Sequence, residues 1–126
     1  MSKAKVLGIG GIFFKSEEPA RLASWYKKWL GFDIGSGSSS TFNHKSLPEE
    51  SFTVWAPFPK DTDYFEHSEK DFMINLIVDD LIIALVQVKT GGATVLDDVH
   101  EHKYGMFGWF IDPDGNKVEL WQPKKN

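Results

Sequence analysis

The residue best placed to do chemistry in this chain is a glutamate inside an apolar run. In KVELW, residues 117–121, Lys117, Glu119 and Trp121 alternate with Val118 and Leu120. An extended strand therefore sends Glu119 to the face opposite the aliphatic pair. A carboxylate in such a run must be solvated, paired or coordinated. The catalytic reading makes it a base for proton transfer. The structural reading pairs it with Lys15 or Lys117, since ion-pair networks often imitate sites.

Three further groups carry polar chemistry. Asn75 alternates with Met73 and Ile77 in FMINLIV, and an amide among apolar neighbours needs partners. It can orient a ligand carbonyl or amine, or hydrogen-bond an adjacent strand. His100 and His102 form an H-x-H near Asp97, Asp98 and Glu101, which reads as a solvated polar loop, with metal capture or a role at a pocket mouth as subordinate options. His44 and His67 lie in polar stretches and carry no chemical signal. Asp112-Pro113-Asp114-Gly115-Asn116 has the composition of a calcium loop, but Gly115 falls too early, Pro113 intrudes and no bidentate Glu follows. It reads instead as a tight turn joining two strands, residues 105–111 and 117–121.

Composition excludes several classes of function. The 126 residues are 41% hydrophobic and 14% aromatic, enough for one core and one domain. The absence of cysteine removes disulfides, thiolate metal sites and cysteine nucleophiles together. The net charge of -4 is spread without a basic stripe, so nucleic acid is not an expected partner, and the closing Lys124 and Lys125 read as a solubilising tail. No apolar run is long enough to span a membrane and no signal h-region opens the chain, so a soluble, cytoplasmic protein is expected.

Positioning these groups falls to elements that recur. Residues 5–14, KVLGIGGIFF, read as a first strand in which Gly10 and Gly11 mark a bulge or a close approach. Ser16 is placed to cap a helix with Glu17, Glu18 and Pro19 in its first turn; Leu22, Trp25, Tyr26, Trp29 and Leu30 form its apolar stripe, and Gly31 ends it. Strand candidates follow at residues 32–34, 41–45 and 51–56. Residues 58–70 show no period and read as a linker. Residues 72–78 then give a strand, and Asp79 or Asp80 caps a helix from Leu81 to about Lys89, which Gly91 and Gly92 stop. That second helix is apolar nearly all round, which points to burial on more than one side and a subunit contact, or to a buried strand.

Strand, capped helix, terminating glycine and about three strands thus occur twice, as module one (about 4–57) and module two (about 71–123). The fold class is α+β, with two βαβββ modules whose curved mixed sheets enclose a cup.

GIGGIFFKSEEPARLASWYKKWLGF, FTVWAPFP, FMINLIVDDL and YGMFGWFIDPDGNKVELWQP together resemble the vicinal-oxygen-chelate superfamily of glyoxalases, bleomycin-resistance proteins and extradiol dioxygenases. The resemblance implies a cup-shaped fold, a homodimer and, in some members, a divalent metal. Of the ligand positions it implies, Glu119 matches the closing one, while Gly11 and Met73 stand at the others. No cofactor is therefore expected, and a metal only if the ligands differ from this alignment. On this fold the floor around Glu119 is lined by Phe13, Trp55, Met73 and Trp121, Asn75 faces the pocket, and Trp109 belongs to an aromatic set available for stacking. Alternation leaves open whether Phe107, Trp109 and Ile111 or Met106, Gly108 and Phe110 line the cup.

Three functions remain. The favoured one is metal-independent binding of a small amphipathic or aromatic molecule. The second is a glyoxalase-like lyase or isomerase with Glu119 as base or metal ligand. The third is a non-catalytic interaction module.

Overall fold

The computed structural model describes residues 3–124, apart from the side chain of Asp97, so part of the acidic cluster near His100 and the tail lysine Lys125 lie outside the described residues. Helix α1 spans Pro19–Leu30 and α2 spans Leu81–Thr90; strands β1 (Ile74–Ile77), β2 (Thr94–His102), β3 (Gly105–Ile111) and β4 (Lys117–Pro123) form one mixed sheet in the order β1-β4-β3-β2. β1 runs parallel to β4, and β3 runs antiparallel to both β4 and β2. The chain is α+β, and its second module is a complete βαβββ unit.

Local chemistry explains these boundaries. α2 starts where Asp80 Oδ1 accepts the Ile83 backbone N–H at 3.0 Å, and at its end the Gly91 N–H bonds back to the Gln87 carbonyl. α1 begins two residues later than the Ser16 cap predicts. Pro19, whose ring presets φ, takes the first helical position, Glu18 stands at the N-cap without a side-chain cap, and Ser16 Oγ accepts the Glu18 N–H instead. Gly31 closes α1 at φ 69°, a left-handed conformation that costs glycine little.

Both helices cover one sheet face. Leu22 and Tyr26 of α1 and Leu81, Ala84 and Val88 of α2 pack with Phe110, Val118 and Leu120 into the core. Full burial of Phe110 is worth about 2–3 kcal/mol. Gly108 lets α2 come close, for a Cβ there would lie 2.9 Å from Leu85 Cδ1. Trp25 Nε1 donates to the Gly91 carbonyl at 2.9 Å and Gln87 Nε2 to the Trp29 carbonyl at 2.7 Å, fixing α1 against the end of α2. α2 does not bury all its apolar residues: Ile82, Ile83 and Val86 remain more than half exposed.

The first module contributes its helix and several segments without regular secondary structure. Of the strands expected at residues 5–14, 32–34, 41–45 and 51–56, the described residues form only the isolated Ile34–Ser40 bridge, and His44–Ser46 is a short 3₁₀ turn. β-propensity measures fit to a half-buried pleated surface, and a segment without a neighbouring strand has no such surface. Val6, Leu7 and Trp55 accordingly stand largely exposed.

Candidate functional site

The register of β4 resolves which face carries the polar chemistry. Glu119 is paired with Trp109 on β3 and with Asn75 on β1, so all three stand on the face opposite the helices. Phe107 shares this face through its pairing with Trp121, while Phe110 is paired with Val118 and faces the core. The aromatic face is thus that of Phe107, Trp109 and Ile111.

Glu119 is only 8% exposed, and its burial is compensated by three donors. Asn75 Nδ2 donates to Oε1 at 2.6 Å, Trp109 Nε1 donates to Oε2 at 2.8 Å, and the Tyr64 hydroxyl donates to Oε2 as well. Burial, and after it the bond to Glu119, raises the Tyr64 phenol above its ordinary range, so it stays protonated and remains a donor. Lys117, expected as an ion-pair partner, instead sends Nζ 2.6 Å to the Tyr64 carbonyl and lies 5.3 Å from the centre of its ring.

A cleft of about 240 Å³ opens beside this cluster, lined by Asp63, Tyr64, Glu66, His67, His100, Trp109 and Lys117. His100 and His102 lie on β2 rather than in a solvated loop. Pairing puts both on the aromatic face, where His100 meets Trp109 edge-on at 5.0 Å and His102 stacks on Phe107 at 4.6 Å. Trp121 stacks on Phe107 at 6.0 Å and anchors its Nε1 on the Tyr104 carbonyl.

Of the residues singled out from sequence, Glu119, Asn75, Trp109 and Trp121 come together on one face. Met73 lies half-buried just before β1. Phe13 and Trp55 do not join the cluster; they are 95% and 79% exposed, and the irregular segments that carry them pair with no strand of the sheet. Sequence reasoning missed Tyr64 and His67, both in the linker. A signal existed: Phe58, Tyr64 and Phe65 are three aromatics in thirteen charged and irregular residues, and a fully solvated connection has no use for them.

The residues present do not fit a divalent ion. Gly11 offers no side-chain donor atom, Met73 offers a thioether, and both oxygens of Glu119 already accept N–H or O–H groups. Among the described residues, no group of three or more His, Asp or Glu is placed to share a metal. Among them too, no helix is long and apolar enough to cross a membrane.

Comparison with solved structures gives relatives at low identity. TnmS3, an antibiotic binding protein from Streptomyces sp. CB03234, superposes with TM-score 0.51 at 20% identity, covering 98% of this chain and 99% of its own. A member of the glyoxalase/bleomycin resistance protein/dioxygenase superfamily from Sphaerobacter thermophilus DSM 20745 gives TM-score 0.48 at 22% identity over 86% of this chain and 90% of its own. TioX from Micromonospora sp. ML1 gives 0.48 at 14% identity over 84% and 90%. No curated protein matches the chain significantly. The profile of the Glyoxalase-like domain, in contrast, matches residues 11–121, nearly the whole chain, and the protein belongs to that family within the vicinal-oxygen-chelate superfamily.

Proposed function

We propose that this protein binds a small amphipathic or aromatic molecule on the sheet face around Trp109, and that it does so without a metal. The observation that carries the reading is the Glu119 cluster itself. A buried carboxylate held by three neutral donors at the edge of an aromatic cleft is an orienting group in a stacking site. Aromatic and imidazole rings on two sides of the cleft suit a planar guest. The description of TnmS3 as antibiotic-binding agrees with such a role for this fold.

The lyase or isomerase reading asks Glu119 for lone pairs directed at substrate or metal. Tyr64, Trp109 and Asn75 take most of them, and this favours binding over catalysis. The largely exposed Val6, Leu7, Phe13 and Trp55 support pairing of two copies into a homodimer, which sedimentation velocity would read directly.

The test is a titration with a panel of planar aromatic compounds, followed by tryptophan fluorescence in the native chain and in Trp109→Ala. Saturable quenching weakened at least tenfold in the variant is expected. If no compound binds, the interaction-module reading takes its place. Stoichiometric uptake of Zn²⁺, Ni²⁺, Mn²⁺ or Fe²⁺ that Glu119→Ala abolishes would put the lyase reading first.

A further inference from the structure

The three donors that hold Glu119 are not equally committed. Trp109 and Asn75 project from β3 and β1, the two strands that flank β4, so the sheet ladder fixes the backbone that carries each. Tyr64 comes from the irregular linker. Its backbone is tied by its own N–H to Thr62 Oγ1 at 3.2 Å and by its carbonyl to Lys117 Nζ at 2.6 Å; further along, Ser68 Oγ reaches the Gly115 carbonyl at 2.7 Å. Tyr64 is 38% exposed, while Glu119 beneath it is 8% exposed. Tyr64 is therefore the member of the cluster least tied to the sheet.

What surrounds the Tyr64 ring also describes a binding site. Phe58 stacks on one face, with centroids 5.5 Å apart and planes 8° apart, and Trp109 stands edge-on at 6.3 Å. Lys117 Nζ approaches the ring, and the hydroxyl ends on Glu119 Oε2. A planar ring with a donor at one end is already bound here, supplied by the chain itself.

We propose that Tyr64 holds the ligand's place. The molecule this site takes carries a hydrogen-bond donor, a hydroxyl or an ammonium, on a planar aromatic framework, and it binds by taking over Glu119 Oε2 as the Tyr64 ring swings away. The inference rests on the binding reading above and adds the ligand's polar handle and the residue that selects for it.

Selection follows from desolvation. A guest without a donor that displaces Tyr64 leaves a buried carboxylate oxygen one hydrogen bond short, whereas a guest with one restores it. The same exchange lowers apparent affinity, because only the fraction of molecules with Tyr64 detached can accept the guest.

Three probes test this: 2-naphthol, (2-naphthylmethyl)ammonium and naphthalene, each titrated against the native chain and Tyr64→Phe. The readout is the Trp109 indole N–H resonance, and the thermal transition of the variant is recorded to establish folding. At least one donor-bearing probe should bind at least threefold more tightly than naphthalene in both proteins, and every probe that displaces the ring should gain about threefold in Tyr64→Phe, because the Tyr64 hydroxyl no longer has to be detached from Oε2. Which donor probe responds identifies hydroxyl or ammonium as the handle. No gain for any probe in Tyr64→Phe would overturn the exchange, and equal affinity for all three probes would overturn the handle, each leaving an aromatic site in place. Failure of every probe to move Trp109 in either protein would overturn both the exchange and the binding reading.

Discussion

Two carboxylates on consecutive parts of the same hairpin are buried almost equally, Asp112 at 5% and Glu119 at 8% exposure, yet their surroundings differ in kind. At the turn, Asp112 Oδ1 accepts the backbone N–H groups of Asp114 and Asn116, and Oδ2 accepts Asn116 Nδ2 and the Tyr26 hydroxyl. Three of those four donors come from the next four residues, and the fourth ties α1 to the hairpin. On the sheet face, Glu119 accepts only side-chain donors, from three separate segments, one of them irregular. A carboxylate satisfied by its own turn builds structure. One satisfied by side chains beside an open cleft can exchange a partner.

Substitutions at the two positions should therefore separate stability from binding. Asp112→Ala is expected to have the largest effect, about 3–4 kcal/mol in urea denaturation, since it strands the buried Tyr26 hydroxyl and the Asn116 amide and unties the turn. A loss below about 1 kcal/mol would erase the distinction from the structural side. Tyr26→Phe, which removes one donor from the same carboxylate and keeps the ring among Trp25, Phe32 and Phe110, should cost about 1.5 kcal/mol.

Glu119→Gln should cost about 1 kcal/mol or less, because Asn75 is exposed and Tyr64 partly so, and water can reach the donors it releases. Its consequence belongs in the binding titration, where affinity for donor-bearing aromatics should fall while that for plain aromatics holds. An Asp112-sized loss of stability with unchanged binding would make Glu119 a second structural carboxylate.

The same contrast governs what could be read from the chain without coordinates. The hairpin, α2 with an aspartate cap and the βαβββ order of the second module follow from turn chemistry and alternation, which act over a few residues. The facing of Glu119 with Asn75 comes instead from the family resemblance. α1 was legible from its stripe, though Pro19 rather than Ser16 set its start. The strands read at residues 5–14 and 51–56 rested on propensity, and propensity cannot supply a neighbouring strand. Phe13 and Trp55 left the site for that reason. Tyr64 was invisible because its partner lies 55 positions away in sequence, and no local period records such a contact. His100 and His102 were read from the polarity of their neighbours, but the pairing with β3 made their segment a strand.

The smallest effect tests the comparison most finely. Tyr64→Phe keeps the ring stacked on Phe58 and should cost only a few tenths of a kcal/mol near neutral pH. Alkaline pH magnifies the difference between the two tyrosines. Burial first, then the neighbouring carboxylate, raises Tyr26 beside Asp112 and Tyr64 beside Glu119 above the ordinary value of 10.0. A folded-state pKa that is raised contributes stability fully present below the unfolded value and lost as pH climbs past it, because the unfolded phenol ionises while the folded one stays protonated. Stability should therefore hold to about pH 10 and decline above it. Tyr26→Phe should flatten that decline more than Tyr64→Phe, since Tyr26 is 8% exposed and Tyr64 38%. Urea midpoints between pH 8 and pH 11.5 in the two variants measure this. The reverse ranking would mean that Tyr64 is the more firmly held of the two, and a residue so held cannot yield Glu119 to a guest.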